Sequence, residues 1–475
     1  MNLTTCINSE ELIVGLATPP GAGGIAIVRL SGTGAIAAAA QLFTPKSPTR
    51  KLLNLPGYSV IYGHVANIFS GERIDEALLT LFRAPRSYTG EDCVELSCHG
   101  GSAVVQAIIL QTINAGARLA QPGEFTRRAF LNGRIDLSQA EAVADIIRAR
   151  TEEARRLALR QLDGSLSKEV AALRHELIGA AAAIEVSIDF SDEVGDLNYP
   201  QLEQRLEAAL FNIQTLLAES GRGKALRDGL SVALAGRPNV GKSSLMNALL
   251  RSDRAIVSPF AGTTRDRIDE QLQIDGIAVT LSDTAGLRDA LDPVERIGVD
   301  RAKDAVVAAD LALFVVDASV GITNEDRDLA ATAARAGGVV VLLNKCDLIS
   351  AESAIQLAAT AADELGLSGC AIECVSAAGA PGIGPIEQQI SSAACGNGAD
   401  SAGRAAIVSN VRHIQALNSA AESVALALES ARQRMPGDFA AIDVRGALNA
   451  LGLITGETVT EDIIHRIFED FCVGK

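Results

Sequence analysis

The sequence has no tryptophan, and aromatic residues make up only 3% of its 475 residues. It has no run of about 18 uncharged apolar residues, the length that crosses a bilayer, so we expect no membrane span. Its first residues carry no basic region before a short apolar stretch, which argues against a secretory signal. The eight cysteines include no CxxC pair and no zinc-type quartet. We therefore expect reduced thiols in a cytoplasmic protein.

Basic residues are also fewer than acidic residues. The chain has 42 Lys and Arg against 58 Asp and Glu, a formal net charge of −16. Such a chain is repelled by phosphate polymers unless a local basic patch or a partner supplies the contact. The balance excludes a non-specific nucleic-acid binder but allows a specific RNA to dock. One group of arginines either binds RNA or forms a solvated helix face with interleaved acids: Arg148, Arg150, Arg155, Arg156 and Arg160.

Apolar periodicity divides the chain into four segments. Residues 1–130 carry short strand-like runs and a helix, which predicts a mixed α+β domain. Residues 131–228 show helical periodicity, broken near residues 163–164. Residues 229–395 alternate strand-like runs with helices, which indicates βαβ units and a mostly parallel sheet. Helical periodicity returns in residues 396–475, so the α/β domain is predicted to be inserted into a helical domain. The strand-like runs are 24–30, 77–82, 94–98, 230–235, 278–282, 311–317, 339–343 and 372–375.

A phosphate-binding loop follows the first strand of the third segment. Residues 236–243 read GRPNVGKS, which matches GxxxxGK[ST] between a strand and a helix. The glycines let backbone N–H groups close round phosphates, and the helix N-terminus attracts the anion. Lys242 is predicted to contact the β- and γ-phosphates, and Ser243 to bind Mg²⁺.

The base is specified by NKCD at residues 344–347, after a strand-like run. The Asp347 carboxylate can accept two hydrogen bonds from the ring N–H and amine of guanine. Adenine offers no such donor pair, so its binding would leave the carboxylate unpaired. This pattern predicts a GTP-binding protein and excludes a general ATPase. Backbone groups of Ser376 and Ala377 are expected to add contacts to the base.

Two further motifs lie between these loops. Asp283 opens DTAG and is expected to hold Mg²⁺ directly or through water, and the Gly286 N–H to contact the γ-phosphate. Thr264 of GTTRD is expected to be the second hydroxyl ligand of Mg²⁺. The other motif positions expected to bind GTP are Asn239, Val240, Gly241, Ser244, Gly262, Thr263, Thr284, Ala285, Asn344 and Lys345.

A catalytic glutamine is missing from its usual place. Many GTPases have one directly after the DTAG glycine to orient the attacking water, and this chain has Leu287 there. The following loop offers Asp289, Asp292 and Glu295 as replacements. Chemistry alone does not choose among these carboxylates.

The assembled motifs resemble those of the MnmE (TrmE) family of tRNA-modification GTPases from end to end. The N-terminal signatures are ATPPGAGGIAIVRLSG, PRSYTGEDCVELSCHGG and PGEFTRRAFLNGRIDLSQAEAVADII. The G-domain signatures are GRPNVGKSSLMNALL, AGTTRD and DTAGLR, and CVGK resembles the family's C-terminal CxGK box. The resemblance implies a folate-binding-like N-terminal domain, a central helical domain and an inserted P-loop G domain.

The resemblance also implies a function. The family modifies the 5 position of the wobble uridine of certain tRNAs with an aminomethyl or carboxymethylaminomethyl group. It works with MnmG, an FAD-containing partner, and a tetrahydrofolate derivative in the 5-formyl or methylene form supplies the one-carbon unit. The resemblance also implies a homodimer through the N-terminal domain and a heterotetramer with the partner. A regulatory GTPase switch of the ribosome-assembly type is the alternative, but a switch has no use for the folate-like signatures and CxGK.

Individual residues carry over from the family. Asn239 matches its potassium ligand, and Ser258, Phe260 and Thr263 match the rest of that loop, in which Pro259 and Ala261 also bind GTP. Glu295 matches the glutamate that positions the hydrolytic water. The predicted folate contacts are Arg29, Glu95, Arg134 and Lys475, and Cys472 matches a cysteine needed for modification.

Some of these residues also have a simpler structural interpretation. Arg29 and Glu95 are also ordinary strand-end charges, and Cys472 a small packing residue. The chain departs from the family at Ala22, often Arg, and at Arg134, where Lys is frequent and the hydrogen-bond geometry differs.

Replacing Glu295 tests the choice among the three acids. Glu295→Ala is expected to lower GTP turnover by roughly 100-fold or more, as for a positioned acid–base group. GTP affinity should hardly change, because the residue acts in the transition state. Single-turnover kinetics with Asp289→Ala and Asp292→Ala as controls make the comparison. Loss of turnover in a control but not in Glu295→Ala would show that another group holds the water.

Overall fold

The structure is a computed structural model that describes residues 11–47, 49, 51–190, 195–251, 269–283, 303–395, 407–469, 471 and 474. The chain divides into two compact units. The first unit comprises Met1–Ala144 and Gly452–Lys475, and the second comprises Asp145–Leu451. Within the described residues, no helix combines the length and the hydropathy that a bilayer span requires.

The first unit is built on a seven-stranded sheet with the order β3-β4-β5-β6-β2-β1-β7. Neighbouring strands are antiparallel except β1 and β7, which are parallel. Buried and more exposed residues alternate along β4, which places one face of the strand on the core. The strands are β1 (Ile13–Leu16), β2 (Gly23–Ser31), β3 (Phe43–Pro45), β4 (Ser59–Ala66), β5 (Arg73–Phe82), β6 (Cys93–Gly100) and β7 (Arg118–Leu119).

The second unit contains a six-stranded sheet with the order β13-β12-β11-β8-β10-β9. All neighbouring strands are parallel except the edge pair β9–β10. The described residues of β11 are buried throughout, as expected for a strand covered on both faces. The strands are β8 (Leu230–Ala235), β9 (Asp269–Ile274), β10 (Ile277–Asp283), β11 (Leu311–Asp317), β12 (Val339–Asn344) and β13 (Ala371–Cys374).

Helices fill the connections and the segments on either side of the second sheet, and residues 303–308 are also helical. The helices are α1 (Ala35–Leu42), α2 (Ser102–Asn114), α3 (Glu124–Leu131), α4 (Leu137–Arg148), α5 (Glu152–Leu162), α6 (Ser165–Asp189), α7 (Tyr199–Ala218), α8 (Ser220–Asp228), α9 (Lys242–Arg251), α10 (Asn324–Ala333), α11 (Ala351–Glu364), α12 (Gly384–Cys395), α13 (Val411–Arg432), α14 (Gly437–Thr455) and α15 (Glu461–Glu469).

This architecture confirms the predicted fold class, an α+β part, a helical part and a mostly parallel α/β sheet. Each strand-like run coincides with a strand to within a few residues. The antiparallel edge strand β9 was missed, although the Asp275-Gly276 turn that joins it to β10 is a recognised hairpin signal. Both turn residues have positive φ, 47° and 84°.

The helical pattern is interrupted at two places, of which one was predicted. The predicted break separates α5 from α6, where Gly164 has φ 79°. A second break separates α4 from α5, because the Thr151 side chain accepts a hydrogen bond from the Ala154 N–H and caps a new helix.

A buried ion network holds α3 in the first unit. Arg128, only 2% exposed, donates to Glu91 at 3.1 Å, to Glu124 at 3.1 Å and to the Glu11 carbonyl at 2.8 Å. Burial alone would raise the pKa of Glu124, but hydrogen bonds from Arg118 and the Gln121 N–H outweigh it and lower that pKa. The network therefore fixes α3 against the loop that follows β5.

The helical segments and the second sheet share one hydrophobic core. Leu157 of α5 and Leu226 of α8 are buried in the same cluster as Val232 of β8 and Leu281 of β10. At the β9–β10 turn, a Cβ on Gly276 would lie 2.6 Å from the Glu153 Cγ, so the hairpin lies directly against α5.

Candidate functional site

The P-loop connects β8 to α9 and is forced into a conformation that requires glycine. Gly236 and Gly241 have φ angles of 138° and 100°. A Cβ on Gly236 would lie 2.3 Å from the Val315 carbonyl oxygen, and one on Gly241 would lie 2.3 Å from the Asn344 Nδ2. Asn239 is also left-handed, with φ 65°. The loop is thus compact, with neighbouring strands close on two sides.

Lys242 and Ser243 lie at the start of α9, as the motif predicts. Lys242 is 8% exposed, and its Nζ donates to the carbonyls of Gly236 at 2.7 Å and Arg237 at 2.8 Å. Burial lowers the pKa of Lys242, and the Asp283 carboxylate partly opposes that shift. The lysine is therefore held inside the concave side of the loop, where phosphate oxygens would compete for it.

The residues predicted to hold Mg²⁺ are adjacent. The Ser243 Oγ donates to the Asp283 Oδ2 at 3.1 Å, across the parallel pair β8–β10. The Asp283 Oδ1 is buried and has no hydrogen-bond partner among the described residues. A hydroxyl and a carboxylate with a free oxygen fit the oxygen ligands that Mg²⁺ requires.

The base-recognition loop is hydrogen-bonded to the P-loop. Asn344, at the end of β12, donates from Nδ2 to the Val240 carbonyl at 2.8 Å. Lys345, with φ 64°, donates from Nζ to the Asn239 carbonyl at 3.1 Å and to the Asp317 Oδ2 at 2.5 Å. The predicted phosphate-binding and base-binding residues therefore form one site.

Asp317, at the carboxyl end of β11, was not predicted. Burial raises the pKa of Asp317, but hydrogen bonds from Lys345 and Ser319 outweigh burial and hold that pKa below its usual value. Asp317 is thus a charged partner that orients Lys345. Its signal in the sequence was its position, the last residue of the strand beside the P-loop strand.

Asp347 and the loop after β13 approach each other. Asp347 is exposed on a 3₁₀ turn, Cys346–Leu348, and a Cβ on Gly379 would lie 3.2 Å from the Asp347 Cβ. The Ser376 Oγ accepts from the N–H groups of Ala378 at 3.2 Å and Gly379 at 2.9 Å. This turn brings the backbone around Ala377 to the side of Asp347, and Gly379, which was not predicted, permits the approach.

The cysteine between Lys345 and Asp347 is not a reactive group. Burial, together with the neighbouring Cys374 thiol, raises the pKa of Cys346 to about 12. Its Sγ lies 3.0 Å from the Leu343 carbonyl as a donor. Protonated thiols of this kind are poor nucleophiles.

Several predicted residues lie outside the described part of the chain. They are Ser258, Pro259, Phe260, Ala261, Gly262, Thr263, Thr264, Thr284, Ala285, Gly286, Leu287, Asp289, Asp292, Glu295, Cys472 and Lys475.

A second cluster lies in the first unit, where Arg29 and Arg134 lie against one aromatic ring and Glu95 pairs with Arg29. Arg29 and Glu95 are cross-strand partners on β2 and β6, joined at 2.8 Å from Nη2 to Oε1. The Arg29 and Arg134 guanidinium carbons lie 5.2 and 5.1 Å from the centre of the Tyr88 ring. Arg134 also donates to the Tyr88 carbonyl at 2.7 Å. Tyr88, within the PRSYTGED signature, was not predicted as a site residue.

Comparisons with known proteins cover nearly all of the chain. Residues 12–134 match the family described as GTP-binding protein TrmE N-terminus, and residues 137–472 match the MnmE helical domain family. A tRNA modification GTPase MnmE from Moorella thermoacetica is 44% identical over 98% of this chain and 100% of its own length. Relatives of that name from Chloroflexus aurantiacus, 47% identical, and Enterococcus faecalis, 43% identical, each align with 98% of this chain and with 100% and 98% of their own lengths.

Exchanging the Asp347 carboxylate for an amide is expected to change base preference. Asp347→Asn presents a donor to the two donors of guanine, so GTP affinity should fall by about a hundredfold or more. Affinity for xanthosine triphosphate should rise, because xanthine offers an acceptor in place of the amine. Titrations with both nucleotides measure the change, with Asp328→Asn, at an exposed position of α10, as the matched control. Unchanged affinities for both nucleotides would show that Asp347 does not read the base.

Proposed function

This chain belongs to the MnmE family of tRNA modification GTPases, and from that membership we propose that it couples GTP hydrolysis to tRNA modification. The proposed reaction adds an aminomethyl or carboxymethylaminomethyl group at the 5 position of the wobble uridine of certain tRNAs. An FAD-containing protein of the MnmG type is the proposed partner, and a tetrahydrofolate derivative the one-carbon source. The observation that carries the GTPase half is the pair of hydrogen bonds that join Asn344 and Lys345 to P-loop carbonyls.

The residues of the site suit the steps of GTP hydrolysis. Lys242 is buried beside the P-loop carbonyls and can transfer its hydrogen bonds to phosphate oxygens. Ser243 and Asp283 supply oxygens on one side of that position and would hold Mg²⁺ with Thr264. When bound, Mg²⁺ neutralises charge that develops on the phosphates. Asp347 selects guanine, and Glu295 is the proposed group that orients water.

The modification half of the proposal rests on the first unit. The Tyr88 ring, the two guanidinium groups beside it and the Glu95 carboxylate combine a flat apolar surface with charge of both signs. That set suits a tetrahydrofolate, which has a flat hydrogen-bonding ring and a carboxylate tail. Arg29, Glu95, Arg134 and Lys475 are the proposed folate contacts, and Cys472 the cysteine used in modification.

Family membership also suggests how the protein assembles and where it acts. We propose a homodimer through the N-terminal domain that forms a heterotetramer with the MnmG-type partner in the cytoplasm. Within the chain, we propose a division into residues 1–130, 131–228, 229–395 and 396–475. On α5, Arg155 and Arg156 both pair with Glu152 at the exposed surface, as in a solvated helix face.

Deleting the protein tests the proposed function in cells. Mass spectrometry of tRNA nucleosides should show loss of the 5-substituted wobble uridines in the deletion strain. The unaltered chain should restore them, as should the control Lys224→Ala at an exposed lysine, whereas Lys242→Ala should not. Unchanged wobble uridines in the deletion strain would contradict the modification function and favour a regulatory switch.

Hydrolysis is expected to depend on potassium. Asn239, the proposed ligand with Ser258, Phe260 and Thr263, is exposed on the P-loop. A monovalent cation beside the phosphates would stabilise transition-state charge where Leu287 replaces a glutamine. GTP turnover should fall by at least about tenfold when sodium replaces potassium at constant ionic strength. Asn239→Ala should remove the difference, and Asn212→Ala on α7 should keep it. Equal turnover of the unaltered chain in both salts would exclude a potassium requirement.

A further inference from the structure

We propose that Arg237 and Asp326 form a positioning pair that holds the P-loop in its nucleotide-binding conformation. Neither residue belongs to the nucleotide-contacting set derived above. The inference rests on guanine-nucleotide binding at the P-loop, as proposed for this chain.

The pair is short and largely removed from water. The Arg237 Nε donates to the Asp326 Oδ1 at 2.7 Å. The Asp326 side chain is fully buried, and that of Arg237 is 16% exposed. A buried carboxylate needs a charged or hydrogen-bonding partner, and Arg237 is the cationic partner that the structure gives it.

Asp326 is itself fixed by the helix in which it lies. Its Oδ2 accepts from the Thr323 N–H at 2.9 Å and from the Thr323 Oγ1 at 2.8 Å. The contact with the Thr323 N–H, together with the hydrogen bond that the Asp326 N–H donates to the Thr323 Oγ1 at 3.4 Å, forms the capping box at the start of α10. Asp326 is therefore anchored to the start of its own helix, and the pair fixes the position of Arg237 relative to α10.

Arg237 links this anchor to the phosphate-binding lysine. Its backbone carbonyl accepts from the Lys242 Nζ at 2.8 Å, so one residue contacts Asp326 by its side chain and Lys242 by its backbone. Asn344, the last residue of β12, and Lys345, which follows it, hold two further carbonyls of the loop, those of Val240 and Asn239. The Arg237–Asp326 pair adds a restraint from α10.

Such restraints matter because the loop contains glycines, which leave a free chain many other conformations. Gly236, Asn239 and Gly241 all have positive φ. Glycine reaches these angles without strain, but they are only some of the angles that a free loop samples, so the surroundings have to hold the loop in this conformation. Restraining it before the nucleotide binds removes an ordering cost that would otherwise weaken affinity. Loss of the pair is thus expected to weaken nucleotide binding without changing base preference.

A pair that only stabilises the fold would behave differently. Its loss would lower the unfolding temperature but leave the affinity of the remaining folded molecules unchanged. Affinity measured well below the unfolding temperature separates the two roles. Arg237→Lys keeps the charge and a single donor, so it should bind more tightly than Arg237→Ala.

The experiment is a double-mutant cycle on the full chain with a fluorescent GDP analogue. Arg237→Ala and Asp326→Asn should each raise its Kd about tenfold, a change within the range measured for contacting residues. Asp326→Asn keeps an oxygen for Thr323 but removes the charge. The double variant should be no weaker than the weaker single variant. Selectivity for guanine over xanthine should stay unchanged throughout.

Arg327→Ala is the matched control, because its ion pair with Glu364 is exposed by 44% and 41% and contributes little. Its Kd should stay within about twofold of the unaltered chain. Unchanged Kd values with lower unfolding temperatures, or additive effects in the double variant, would overturn the positioning role. Failure of the unaltered chain to bind guanine nucleotides would instead refute the proposed function and this inference with it.

Discussion

The hydrogen bond from Asn344 to the Val240 carbonyl, with the neighbouring bond from Lys345 to Asn239, joins the two halves of the nucleotide site. Val240 is buried, so its carbonyl needs a hydrogen-bond partner within the protein. Asn344, at the end of β12, supplies that partner, so the sheet sets the distance between phosphate-binding and base-binding groups. β12, β11 and β8 are parallel neighbours, and their carboxyl ends meet at one edge.

Regular elements and motif positions were predictable because they depend on local patterns. The β8 and β11 strands are continuous apolar runs, and the P-loop is a contiguous signature. Partnerships between distant residues were not predictable in the same way. Lys345 and Asp317 are 28 residues apart, and Arg237 and Asp326 are 89 apart. Each pair depends on which strands are neighbours and where each one ends, which a single sequence does not reveal.

In the first unit, too, the grouping of site residues depends on which strands are neighbours. Arg29, Glu95 and Arg134 were identified only through the family resemblance, with no physical reason to group them. The register of β2 and β6 supplies that reason for Arg29 and Glu95, which lie directly opposite each other. Tyr88 was overlooked because an aromatic residue in a loop indicates no site until the guanidinium groups close to its ring are known.

The core shared by α5, α8 and the second sheet limits how the chain can be divided. Leu157 and Leu226 are 5% and 7% exposed because apolar residues of β8 and β10 cover them. A fragment that began at β8 would lack α5 and α8, so the apolar residues of β8 and β10 that these helices cover would face water. Apolar surface exposed in this way favours aggregation. The same contacts oppose a free hinge between α8 and β8. Since β10 ends at Asp283, the strand that carries a phosphate-side residue is also part of the packing that contacts α5. A displacement of β10 at Asp283 would therefore also disturb the packing of the sheet against α5.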